Sequence, residues 1–148
     1  MNTPCHLVVR FSDTMFGVGD VVAIHNAIVK KDGAVWFGKL GQTLSQNRVD
    51  MLAKQIEQGI LTNLYLVKGN RKKSTAYRAN LLAVSKDKPK EKKLLQYMQA
   101  WMKISQIEPI DMSEMDSLKA INSVYPISET LQRSSSGYFL VHESKSIF

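Results

Sequence analysis

The sequence predicts an α+β fold: a small curved or barrel-like, mostly antiparallel sheet with flanking helices. Three observations predict it. Short β-branched and aromatic runs alternate with two stretches of helical spacing, in the order strand, helix, strand, helix. An antiparallel run then follows, opened by two strands that straddle the basic turn at Gly69 and Asn70. The strands are short, about six in all, which suits a small sheet with helices at its side.

The 148 residues read as one domain, 1–148, and are enough to bury a core without staples. Composition, 44% hydrophobic and 22% charged, is that of an ordinary globular protein. Cys5 is the only cysteine, so an internal disulfide is excluded and a reducing, cytoplasmic setting is expected. The apolar run at Leu7, Val8 and Val9 is too short for a signal peptide, and Arg10 closes it. No stretch approaches the roughly 18 apolar residues of a membrane span, so no membrane partner is expected.

Cys5 to Phe11 reads as a buried first strand, closed by the turn residues Ser12 and Asp13. Val18, Val21, Val22, Ile24, Ile28 and Val29 recur at helical spacing, which predicts an amphipathic helix over about 20–31. Lys30 and Lys31 suit its C-terminal dipole, and Gly33 ends it. Ala34 to Leu40 is the second strand. Ser45 caps a helix over 46–58 whose buried face is Val49, Leu52, Ala53 and Ile56. Thr62–Lys68 and Thr75–Ser85 form a hairpin. In its second arm Ala79, Leu81 and Ala83 share one face, Leu82 and Val84 the other.

Lys86 to Lys93, with Pro89 inside it, reads as a flexible basic loop. A short helical turn is expected at Leu94–Ala100 and a strand at Trp101–Ile107, ended by Pro109 and Asp111. A helix is expected to start near Ser113 and run to about Asn122, and a shorter one to open at Pro126 with Ile127 and Leu131 inward. Tyr138 to Glu143 is the closing strand.

The charge is unevenly placed. Ten basic residues lie between Lys68 and Lys93 against Asp87 and Glu91, so this window carries +8 and the rest of the chain −1. A block of that kind suits polyphosphate, because each neutralised phosphate releases counterions. It equally suits a solvated pair of surface loops.

Catalytic and metal motifs are missing. His6, His25 and His142 are the only histidines, and no Cys-x-x-Cys, His-x-x-x-His or His-Glu-x-x-His spacing occurs. There is no phosphate-binding Gly-x-x-x-x-Gly-Lys loop and no Gly-x-Ser-x-Gly elbow. Gly17 and Gly19 begin a dinucleotide fingerprint that Val22 fails to complete. No catalytic residue, metal or cofactor is therefore assigned, and the chain is read as a binder and not an enzyme. A small enzyme with an unrecognised site is the minor reading.

The distinctive stretch is Lys31 to Gly41, where a Gly33 turn leads into a strand with adjacent aromatics, Trp36 and Phe37. Neighbours on a strand point to opposite faces, so one of the pair faces the core and the other faces outward or into a pocket. Beside glycines, such a ring makes a wall on which a flat base could stack. Burial in the core is the competing role for each aromatic. Trp101, which follows a charged loop, is expected after Trp36 to sit at a rim.

The residues Gly33 to Lys39 after a strand and helix, then a helix, a hairpin, a strand holding Trp101 and a closing Tyr138 to Val141, resemble the EVE-like branch of the PUA superfamily, related to YTH domains. The likeness covers nearly the whole chain in element order, and its sequence signature is Trp36, Gly38 and Lys39. It implies a five- or six-stranded barrel flanked by helices, reading a modified or flipped base of DNA or RNA, as in the specificity modules of restriction systems. Trp36 would be a cage wall and Trp101 a second, with Ser12 and Asp13 bonding a base edge. The Trp-x-Gly-Val-Arg-Asn segment typical of EVE domains is replaced here by Trp36 to Gly41.

The combined expectation is a nucleic-acid-binding module. Trp36, Trp101, Ser12 and Asp13 would meet the base, and Lys39, Lys68, Arg71, Lys72, Lys73 and Arg78 the phosphates. A protein partner would carry any effector activity. The alternative is a protein-interaction or homo-oligomerisation domain of a bacterial defence or regulatory complex.

Overall fold

A computed structural model describes residues 4–12, 20–39, 45–69, 74–86, 100–121, 125–133 and 138–143. Among these, β1 (Cys5–Phe11), α1 (Val21–Asp32), β2 (Val35–Lys39), α2 (Gln46–Glu57), β3 (Asn63–Gly69) and β4 (Ser74–Ser85) follow in order. Then come β5 (Ala100–Ile104), β6 (Glu108–Ile110), a 3₁₀ turn (Met112–Ser117), β7 (Leu118–Ala120), α3 (Ile127–Arg133) and β8 (Tyr138–Glu143).

The helix ends are where the sequence puts them. Asp20 caps α1 by accepting the Ala23 N–H at 3.0 Å, and Gly33, at φ +86°, closes it by donating to the Val29 carbonyl at 2.7 Å. Ser45 caps α2 by accepting the Arg48 N–H. The buried face of α2 differs from expectation at two positions. Ala53 is exposed, and Gln55 is buried in its place beside Val49 and Leu52. The Gln55 amide has a reason to be inside, because it pairs with the main chain of Cys5.

The strands form one mixed sheet in the order β2-β5-β4-β3-β1-β8-β7, with β6 beside the first half of β4. β1 and β3 run parallel, and the other described pairings are antiparallel. A parallel neighbour needs a crossover. Here the crossover contains α1, β2 and α2, and β2 is delivered to the far end of the sheet. The pairing path among the described residues runs from β2 to β7 without closing, so the expected barrel is corrected to an open sheet.

Alternation along the strands makes two cores. Leu7, Val9, Phe11, Leu64, Leu66, Phe37, Met102 and Ile104 pack on one face with Val21 of α1 and Val49 and Leu52 of α2. Val8, Tyr65, Val67, Ala76 and Val141 pack on the other with Met115, Leu118, Ile127 and Leu131. Strands buried on both faces carry continuous apolar runs, as β1 and β3 do.

Three expectations change in the second half. The helix expected from Ser113 to Asn122 is a 3₁₀ turn followed by β7, because Leu118 and Ala120 find ladder partners in Glu143 and Val141. The strand from Trp101 stops at Ile104, and Pro109 lies within β6, on the outer edge where a missing N–H is tolerated. The alternation expected in β4 breaks at a bulge. The register shifts between Leu81 and Ala83, leaving Leu82 exposed and turning Val84 onto the core of Ala79 and Leu81. Of the helical turn expected at Leu94–Ala100, residues 94–99 lie outside the described residues, and Ala100 instead opens β5. No described helix is long and apolar enough to cross a membrane.

Candidate nucleic-acid interface

The β2 end of the sheet resolves the aromatic pair. Phe37 is fully buried on the helix-covered face, 4.8 Å from the His25 ring and 6.1 Å from Phe11 between centroids. His25 is held by its Nδ1–H, which donates to the Val21 carbonyl at 2.7 Å. Trp36, the odd neighbour, points to the opposite face and is half-buried.

Trp36 stands opposite Lys103 in the β2–β5 ladder, and the Lys103 ammonium lies 5.9 Å from the ring centroid. That is within the range of a cation–π contact. The tight α1–β2 connection brings the last turn of α1 alongside. Together Ile28, Lys31, Asp32, Ala34, Trp36 and Lys103 line an open groove of about 510 Å³. It offers one aromatic ring, an apolar floor, two lysines and one carboxylate. The sequence reading assigned Lys31 to the helix dipole and gave Lys103 no role beyond lying within the strand expected from Trp101. No local signal marks Lys103 as a neighbour of Trp36, because only the β2–β5 pairing joins them.

Trp101 also lies on the Trp36 face, opposite Gly38 and diagonal to Trp36 in the ladder. It is 1% exposed, so the expected rim position is corrected: the ring is packed away and offers no stacking surface. Gly38 contributes no side chain above it. The second wall expected for a cage is therefore closed to a ligand in this conformation.

The remaining expected residues are spread out. Ser12 is exposed just beyond β1, and Asp13 lies outside the described residues. Lys39 closes β2, its backbone opposite Ala100. Lys68, opposite Phe11 and Thr75, shares the helix-covered face. Arg78, opposite Tyr65 and Glu108, is on the other. Arg71, Lys72 and Lys73 lie outside the described residues, as does 87–93 of the basic loop. Lys68 and Arg78 thus do not form one phosphate track, whereas Lys31 and Lys103 converge on the groove.

The family model described as Pua-like matches residues 7–148. No curated protein and no solved structure matches the chain. PUA-like domains are generally nucleic-acid binding, which supports a binding role at this coarse level. With a match over nearly its whole length, the chain belongs to the Pua-like family.

Proposed function

We propose that this chain binds nucleic acid by holding one unstacked base against Trp36, in the groove between α1, β2 and β5. The observation that carries this is the half-buried Trp36 ring in a groove flanked by Lys31 and Lys103. Stacking a base on an aromatic contributes about 1–3 kcal/mol and tolerates any base, because every base has a π-face. The two ammonium groups supply the phosphate attraction that makes such binding sensitive to salt. Asp32, at the groove wall, accepts hydrogen bonds and suits an exocyclic amine.

The finer reading follows the EVE-like resemblance. The base is flipped or modified, the chain reads it without cutting, and a partner protein carries the effector activity. Trp36 then acts without Trp101, so recognition rests on one wall and the groove's polar rim. Binding of short oligonucleotides, plain and base-methylated, to the native chain and to Trp36→Ala tests this. The reading expects salt-sensitive binding that weakens by about five- to 150-fold in the variant, the range that about 1–3 kcal/mol of stacking implies. Equal binding by the two proteins contradicts it.

One observation favours a second reading. β2 ends the sheet, and among the described residues its outer edge pairs with no strand. An open edge can accept a strand from a second copy. A molar mass that rises with concentration, without oligonucleotide binding, would favour that homo-oligomer reading.

A further inference from the structure

A second groove lies across the sheet from Trp36, where β1 and β3 begin and β8 ends. Pro4, His6, Ile60, Leu61, Asn63 and Glu143 line it, and its volume is about 230 Å³. That equals the share of roughly eight waters, enough for one small heterocycle. Its walls are apolar: Ile60 is 38% and Leu61 65% exposed. Its floor is polar. His6 and Asn63 are both buried, with Tyr65 beneath them edge-on to the His6 ring at 6.1 Å.

The hydrogen bonds at this floor fix what the histidine can do. His6 Nδ1 accepts the Asn63 backbone N–H at 3.1 Å. A nitrogen that accepts carries no proton, so in the neutral ring Nε2 carries it. Burial keeps the ring neutral by lowering its pKa, and the Glu143 charge opposes this only in part. No described group bonds Nε2, which leaves it as a donor. The Asn63 amide is turned to the Tyr65 hydroxyl at 3.4 Å. Glu143 is exposed at the rim and, ionised, is an acceptor only.

We propose that this groove is a ligand site for a planar lactam or imide edge, the adjacent C=O and N–H of uracil, hypoxanthine or guanine. The carbonyl accepts from His6 Nε2–H, and the ring N–H donates to the Glu143 carboxylate. A bond to an ionised acceptor is the stronger kind, and it favours the acidic N–H of an imide over an amine. Ile60, Leu61 and Pro4 cover the ring faces. The site does not depend on the Trp36 groove, from which β4 separates it in the sheet.

The test follows the His6 ring by ¹⁵N–¹H spectroscopy of the full chain with ¹⁵N-labelled histidine. Uridine at millimolar concentration is expected to shift the Nε2–H resonance, and 3-methyluridine, which lacks the ring N–H, is not. Glu143→Gln, at an exposed position, is expected to weaken the uridine response at least tenfold while the fold is kept. Trp36→Ala is expected to leave it unchanged, so failure here and failure of the Trp36 reading are distinguishable. An oligouridylate that shifts the same resonance at lower concentration identifies a base within a strand as the source. A response to the nucleoside alone identifies a free nucleoside. No His6 shift with uridine or inosine, or an equal shift with 3-methyluridine, overturns the proposal.

Discussion

Gln55 grips the main chain of Cys5 with both ends of its amide. The Cys5 N–H donates to Oε1 at 2.9 Å, and Nε2 donates to the Cys5 carbonyl at 2.7 Å and to Thr62 Oγ1 at the same distance. The contact ties α2 to the start of β1 and to the segment leading into β3. Asn26 does the same for α1, donating to the Ile107 carbonyl at 2.9 Å and accepting the Ile107 N–H at 2.7 Å. α1 and α2 are therefore each registered on the fold by one amide that mimics a strand edge.

Gln55→Leu orphans the Cys5 main-chain donor and acceptor and removes the bond that the Thr62 hydroxyl accepts, although that hydroxyl still donates to the Ile60 carbonyl. Leaving such groups unpaired costs about 1–3 kcal/mol. Urea denaturation is expected to show a loss in that range, with Asn26→Leu behaving alike. A loss below about 0.5 kcal/mol, the range of ordinary surface substitutions, would contradict the clamp.

Acid is expected to weaken the fold through His6. Burial lowers its folded-state pKa, with the Glu143 charge opposing. The unfolded chain, with an ordinary histidine value of about 6.5, then takes up the proton first. Stability is full above that value and falls as pH drops from there to the lower folded-state pKa. Protonating Nδ1 also breaks its bond from the Asn63 N–H. Denaturation midpoints between pH 7.5 and 5 should decline, and His6→Gln should flatten the slope. A midpoint that rises toward pH 5 would contradict the assignment.

The bulge in β4 separates two adjacent leucines. Leu81 is 3% exposed and packed in the core, while Leu82 is 42% exposed. Leu81→Ala is expected to cost about 2–5 kcal/mol. Leu82→Ser is expected to stay within about 0.5 kcal/mol of the parent. Equal effects at the two positions would place the extra residue elsewhere in the strand.

Local chemistry made the first half of the fold legible. Gly33 and Ser45 act at helix ends whose meaning does not depend on distant residues, whereas the Asp20 cap was shown only by the structure. What escaped depends on pairing between remote segments. Leu118 and Ala120 sit in a stretch read as helical, and β8 draws them into a strand. Nothing near Leu82 marks it as the bulged residue, because the partner that skips it is β5. The site divides the same way. The opposite facing of Trp36 and Phe37 follows from strand period alone. The burial of Trp101 and the approach of Lys103 to Trp36 come from assembling the sheet.

The most direct measurement is tryptophan fluorescence during titration with short single-stranded oligonucleotides at two salt concentrations. Trp101 is buried and should contribute a constant background, so quenching reports Trp36. The account predicts quenching that weakens as salt rises, vanishes in Trp36→Ala and is reduced in Lys103→Ala. Fluorescence unchanged by every oligonucleotide at low salt, with the fold intact, would contradict base stacking in the groove.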